Sequence, residues 1–378
     1  MGNQFGYGEP GPAKAQLENA HPDLATGLVA ARKALWEMPM ASLLDLIDLP
    51  AGPGRPDVPC AVLLPQASAT RSWPLCLLLH GGMSSRDMLV RMREPITAWW
   101  EAGILPPMVV ATATTGPASC YLDHPDGSTA WETFVGTRLK EELARRYPLT
   151  GEVVLLGVSM GGYGALKIAF AQPEAFKGVA ALEPMLEPAL RATEVRPRNR
   201  FYVWGDDNPP ALQGPDRNPV LFERDNPANR AIRNAERIRA ADLPIYLEVG
   251  ADDALLFQDG TEFLHRVLWD LDLAHDYHLL AGVDHVGPSL PSRLRNAFLW
   301  LGERLAPAPN ETRGESEHAW SQWLAQGGVG PRPRLPLDPA TQTALEVFRW
   351  QMAEPRARAA QEDPTTLRRF GRLPGSGQ

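Results

Sequence analysis

Between residues 60 and 304 the chain alternates short apolar runs with longer amphipathic segments. The runs are Cys60–Leu64, Leu75–Leu79, Met108–Thr112, Val153–Gly157, Gly178–Leu182, Ile245–Gly250 and Tyr277–Leu280. Several carry no polar residue at all, the signature of strands buried on both faces of a parallel sheet. Helical spacing of apolar positions predicts helices near 86–102, 130–146, 161–171, 257–271 and 290–304. Strands alternating with helices predict an α/β fold with a largely parallel sheet.

Three stretches depart from this rhythm. Residues 1–55 read as an N-terminal extension with a helix from Pro22 to Met38, followed by a Pro- and Gly-rich loop. Residues 184–241 separate consecutive strands by about sixty positions, too many for a simple crossover. They read as an insertion, a candidate cap, within a catalytic domain spanning 56–305. Residues 306–378 read as a C-terminal extension with helices at Glu317–Leu324 and Ala340–Glu354. Its Trp320, Trp323 and Trp350 need cover against the main domain, because they would otherwise leave large apolar surface in water.

Composition narrows the function. The 378 residues carry 37 basic and 45 acidic side chains, a formal charge of −8, with no basic block. That argues against nucleic acid and against a polybasic membrane anchor as partners. Cys60, Cys76 and Cys120 show no C-x-x-C spacing, and Cys60 and Cys76 sit in apolar runs, so buried thiols are expected there. The first twelve residues lack the apolar core of a signal peptide, and no run is long enough to span a bilayer. The expectation is a cytoplasmic protein, with a homo-oligomer left open.

The chemistry gathers at strand ends. Val153–Gly157 runs directly into Gly157-Val158-Ser159-Met160-Gly161 and a small-residue-rich helix. A serine nucleophile needs its Oγ lifted from the backbone on a tight turn, where side chains at Gly157 and Gly161 would clash. The strand Leu75–Leu79 ends in His80-Gly81-Gly82-Met83, where a second oxyanion-binding amide belongs. The Met160 amide is the first candidate donor, and Gly82 or Met83 the second. His80 itself reads as a buried structural histidine. The orienting acid and the base follow in chain order: Asp252 or Asp253 after the strand Ile245–Gly250, then His285 after the strand ending at Leu280, with the adjacent Asp284 poorly placed to reach the imidazole. His265, His275 and His278 form no metal-binding spacing, and His21, His124 and His318 read as surface residues. No metal or organic cofactor is expected.

These residues resemble the esterase D-like branch of the α/β-hydrolases over about 60–304. The resemblance is carried by His80-Gly81-Gly82, Trp131-Glu132-Thr133-Phe134, Gly157-Val158-Ser159-Met160-Gly161-Gly162, Gly250-Ala251-Asp252-Asp253 and Asp284-His285. It implies an α/β-hydrolase fold, with the insertion after the sixth strand, and a catalytic triad of Ser159, Asp253 and His285. It allows two equal readings of Trp131, a residue bordering the substrate or a core tryptophan opening a helix. Val158 stands where S-formylglutathione hydrolases of this branch usually carry His. Arg191, Arg196, Arg198 and Arg200 read as a solvated charged face. The expectation is a serine esterase acting on a small-molecule ester or thioester. Transfer of the acyl group to another hydroxyl is the alternative, and a non-catalytic binding protein on the same scaffold a further one.

Overall fold

A computed structural model describes residues 42–52, 55–65, 71–199 and 219–305. The helices expected at 22–38, 317–324 and 340–354, the three tail tryptophans and Arg200 lie outside the described residues. Eight strands form one sheet: β1 (Ser42–Leu49), β2 (Val58–Pro65), β3 (Trp73–Leu79), β4 (Val109–Ala113), β5 (Leu149–Val158), β6 (Val179–Leu182), β7 (Ile245–Gly250) and β8 (Asp276–Leu280). Their spatial order is β1-β2-β4-β3-β5-β6-β7-β8. The β1–β2 and β2–β4 pairs are antiparallel, and every pair from β4 through β8 is parallel.

The central parallel strands are largely apolar because helices cover both faces, whereas β8 at the edge, Asp-Tyr-His-Leu-Leu, is only half-buried. On β3, Leu75, Leu77 and Leu79 join one core, while Cys76 and Leu78 join the core on the opposite face. The same alternation sends Val153 and Leu155 of β5 one way and Val154, Leu156 and Val158 the other. The second core is closed by α1 (Asp87–Glu101), through Leu89, Ile96 and Trp100, and by α8 (Leu290–Leu305), through Leu294, Phe298 and Leu301. On the first core lie α2, α3 (Met160–Ala171) and α7 (Phe257–Asp270). The α2 helix runs from Trp131–Thr133 through a π-helical turn at Phe134–Arg138 into Leu139–Arg146.

The sheet begins earlier than the expected domain boundary at residue 56. Strand β1 lies within the stretch read as an extension and pairs with β2 from Ser42↔Pro65 to Leu49↔Val58. Its sequence, Ser-Leu-Leu-Asp-Leu-Ile-Asp-Leu, carries neither a continuous apolar run nor strict alternation. It is an edge strand with Leu43 and Leu46 facing solvent, so its burial pattern is weak. Contacts distant in sequence hold it: Tyr147 Oη donates to Asp45 at 3.2 Å, and Arg86 pairs with Asp48 at 3.7 Å.

Within 184–241, Met185 reaches the cleft at Ser159, while the described helices lie elsewhere. Helices α4 (Pro219–Asp225), α5 (Pro227–Arg233) and α6 (Ala235–Ala240) lie on the flank, where α5 packs against α3 and α7. A buried ion cluster fixes them there. Arg230 reaches Asp225 at 2.6 Å and holds Glu132 of α2 with both terminal nitrogens. The wholly buried Lys167 stands 3.4 Å from Glu132. Burial alone would raise the Glu132 and Asp225 carboxyls, but Lys167 and Arg230 hold both below their ordinary values, with Arg224 also acting on Asp225. Glu132 of the Trp-Glu-Thr-Phe run is therefore a structural anchor.

Candidate active site

The turn between β5 and α3 places Ser159 in a conformation that few non-glycine residues adopt, at φ 57° and ψ −119°. Its flanking glycines are sterically required. A Cβ on Gly157 would lie 2.0 Å from the Gly161 carbonyl oxygen, and one on Gly161 2.0 Å from the Leu79 oxygen. Backbone bonds fix the turn, since the Ser159 amide donates to Leu182 O at 2.8 Å and its carbonyl accepts from Tyr163 and Met185, each at 3.1 Å.

Two later strand ends bring the remaining groups to this serine. His285, in the loop between β8 and α8, has Nε2 3.0 Å from Ser159 Oγ and Nδ1 2.9 Å from Asp253 Oδ2. Asp253 Oδ1 accepts from the Leu255 amide at 2.7 Å, so both carboxylate oxygens are engaged. With Nδ1–H donating to Asp253, Nε2 carries the lone pair that faces the serine proton. Phe257 closes edge-on against the imidazole, with ring centroids 5.1 Å apart. The adjacent aspartates diverge as their strand-end position requires: Asp253 is buried and Asp252 exposed. Asp284 Oδ1 instead accepts the Ala254 and His285 amides, at 2.8 and 2.6 Å, and braces the loop that carries the base.

The candidate oxyanion donors separate. Met160 opens α3, where an amide has no partner in the helical ladder. The Gly82 amide lies in the cleft wall with no protein partner among the described residues. Met83 cannot serve as a donor, because its amide is 2.8 Å from the Pro117 carbonyl and committed to it. That bond forms because Met83 itself turns left-handed, at φ 57°, which sequence does not announce. Gly82 and Met160, both lining the cleft with Ser159, are thus the remaining candidate donors.

Of the two readings of Trp131, its position fits the core tryptophan. It opens α2, packs edge-on against Phe134 and lies against the core, outside the lining of the cleft at Ser159. His80 is wholly buried. Nδ1 contacts the Gly81 carbonyl at 2.8 Å and Nε2 accepts from the Thr115 amide at 3.1 Å, while burial lowers its basicity. His265 and His275 meet at 2.7 Å beside Tyr277, and burial followed by the charge of His275 pushes His265 down to about 4. His124 pairs with Asp126, Arg191 with Glu194 and Arg198 with Asp259. All three cysteines are buried free thiols.

The cleft encloses about 700 Å³ and opens directly above Ser159. Its walls are apolar, supplied largely by Met88 and Met92 of α1, Met185 after β6, and Leu290 and Leu294 of α8. Arg91 is the one lysine or arginine among the described lining residues. None of these wall positions carries a sequence motif. Their shared location follows only from helices that meet above the sheet. A second group escaped the sequence reading: Glu183 after β6, and Arg293 of α8, both buried behind Asp253. The signal available was a charged residue directly at the end of the apolar run Val179–Leu182.

Among the described residues no helix is long and apolar enough to cross a membrane. Over 173 residues the chain is 25% identical to S-formylglutathione hydrolase of Paracoccus denitrificans, covering 46% of this chain and 56% of that protein. It thus spans little more than half the length of that curated relative. A solved ferulic acid esterase superposes with a TM-score of 0.59 at 17% identity, over 71% of this chain and all of that one. An S-formylglutathione hydrolase from Agrobacterium tumefaciens gives 0.57 at 17% identity, over 71% and 97%. These likenesses establish the α/β-hydrolase fold. The family described as "Putative esterase" matches residues 55–286, well over half of the chain, and the protein belongs to that family.

Proposed function

We propose that the protein is a serine esterase that cleaves a small carboxylic ester or thioester through an acyl-enzyme on Ser159. The observation that carries this reading is the unbroken relay from Ser159 Oγ through His285 to Asp253, with contacts of 3.0 and 2.9 Å, at the floor of an apolar cleft. His285 Nε2 takes the serine proton as Oγ attacks the acyl carbonyl, and Asp253 stabilises the imidazolium that forms. The Gly82 and Met160 amides receive the tetrahedral oxyanion. Being fixed backbone dipoles, they need no reorganisation as charge develops. His285 then returns the proton to the leaving oxygen or sulfur, and water activated by the same imidazole releases the acid. The apolar walls favour a substrate with a hydrocarbon acyl or alcohol part, since burying each methylene contributes about 0.8 kcal/mol.

The test is covalent labelling with a fluorophosphonate, followed by peptide mass spectrometry. The adduct is expected on Ser159 alone, and a Ser159→Ala variant should hydrolyse no p-nitrophenyl ester above the blank. An adduct elsewhere with Ser159 unmodified would overturn the assignment. Product analysis with added alcohols separates hydrolysis from acyl transfer, which should appear as a new ester at the expense of free acid.

A further inference from the structure

Behind Asp253 stands a second buried carboxyl. Glu183 follows β6 in a left-handed conformation, φ 47°, and is fully shielded from solvent. Its amide donates to Glu248 O at 2.7 Å, and both its carboxyl oxygens face the Gly250 amide, at 3.0 and 3.2 Å. One acidic oxygen of Glu183, one of Asp253 and a ring nitrogen of His285 all lie within 4.8 Å of one another. Arg293 of α8 contacts a Glu183 carboxyl oxygen, and its Nε donates to Glu248 Oε1 at 2.6 Å. Glu248 in turn accepts from the Tyr246 hydroxyl.

The charges in this cluster do not balance. Glu183 and Glu248 lie against one permanent cation, Arg293, while Asp253 faces only the titratable His285. Two carboxylates in one dry site cannot both ionise cheaply, so one proton stays. Asp253 must be ionised on the side that accepts from His285 Nδ1, which leaves the proton on Glu183. The cluster then carries a net charge of −1, which the imidazolium neutralises when His285 takes the serine proton. An ionised Glu183 would add a second uncompensated charge and push Asp253 away. Burial drives the Glu183 carboxyl upward, to about 8, and Asp253 adds to this against the pull of Arg293 and the Gly250 amide.

We infer that Glu183 is a positioning residue of the catalytic centre: it holds the one proton of the Glu183–Asp253 pair and donates it to Asp253, fixing the carboxylate that orients His285. The inference rests on Ser159, His285 and Asp253 acting as proposed above.

The rate of fluorophosphonate labelling at Ser159, followed from pH 6 to 9.5, tests it without knowledge of the natural substrate. In the native protein the rate should fall several-fold as the pH passes about 8. Glu183→Gln, whose amide donates permanently, should match the native rate at pH 7 within about twofold and stay flat to pH 9.5. Glu183→Ala, which cannot donate, should label at least about tenfold more slowly at every pH while remaining folded by circular dichroism. A residue that merely filled space or neutralised Arg293 would lower the melting temperature and leave the pH profiles superimposed. Superimposed native and Glu183→Gln profiles on a labelled Ser159 would overturn this inference alone. Absence of labelling at Ser159 would remove the catalytic reading and this inference with it.

Discussion

Two buried ion clusters, one at helix α3 and one behind the candidate site, are composed differently. At α3, Glu132 and Asp225 meet Arg230, Lys167 and Arg224, so cations exceed anions. Behind the site, Glu183 and Glu248 share Arg293, and Asp253 pairs with the titratable His285. The first cluster holds its carboxyls ionised and binds three elements distant in sequence: α2, α3 and the 219–233 helices. The second holds one carboxyl protonated and reserves its charge deficit for an imidazolium. A saturated cluster locks a fold, whereas an unsaturated one leaves a proton free to move.

The largest expected effect breaks the second cluster at its link to the base. Asp253→Asn should lower turnover of a p-nitrophenyl ester by about 10⁴, the loss seen for the equivalent change in a serine protease, because it favours the wrong imidazole tautomer. The fold should persist by circular dichroism. Breaking the first cluster should do the converse. Arg230→Met strands two buried carboxylates and should cost about 3–5 kcal/mol in urea-induced unfolding. The folded fraction should keep near-native labelling at Ser159. If Arg230→Met abolished labelling in the folded protein, the flank cluster would not be purely structural.

A smaller effect sharpens the contrast by sign. Glu132 and Asp225 are depressed in the fold, so their stabilisation is fully present above their unfolded values near about 4 and lost as pH falls through the folded ones. Glu183 is raised, so its contribution is greatest below its unfolded value near about 4.3 and is lost as pH rises toward about 8. Urea midpoints measured against pH should therefore show a loss as pH falls through the acid range that Glu132→Gln shallows, and a loss as pH rises from about 4 to about 8 that Glu183→Gln removes. Both variants altering the same limb would erase the distinction. The smallest effect is expected at Asp252→Asn, within about twofold of native turnover, since this exposed side chain has no part in the relay. A loss rivalling that of Asp253→Asn would move the orienting acid to Asp252.

Much of this molecule is written in local pattern. Seven apolar runs mark seven strands because a strand covered on both faces carries few polar residues, whatever its neighbours. The turn at Ser159 is legible because its glycines answer to contacts within the turn and at the adjoining β3 end, which any such strand–serine–helix crossing imposes. Chain order and strand-end position point to His285 and to the pair Asp252-Asp253, and the family spacing is needed to prefer Asp253. Other features depend on partners that the sequence does not place side by side. β1 is a strand only because β2 offers it a ladder, and its Leu-Leu-Asp-Leu-Ile pattern matches no period. Met83 loses its amide to a carbonyl 34 positions away, and Trp131 turns to Phe134 and the core. The Met and Leu walls of the cleft converge from two helices almost two hundred residues apart. Glu183 has meaning only when β6, β7 and α8 bring Asp253 and Arg293 against it. Burial period and backbone sterics are properties of neighbouring residues, so sequence alone determines them. Proton sharing and the direction of a single amide depend on dielectric and distance in space, and only the tertiary structure decides those.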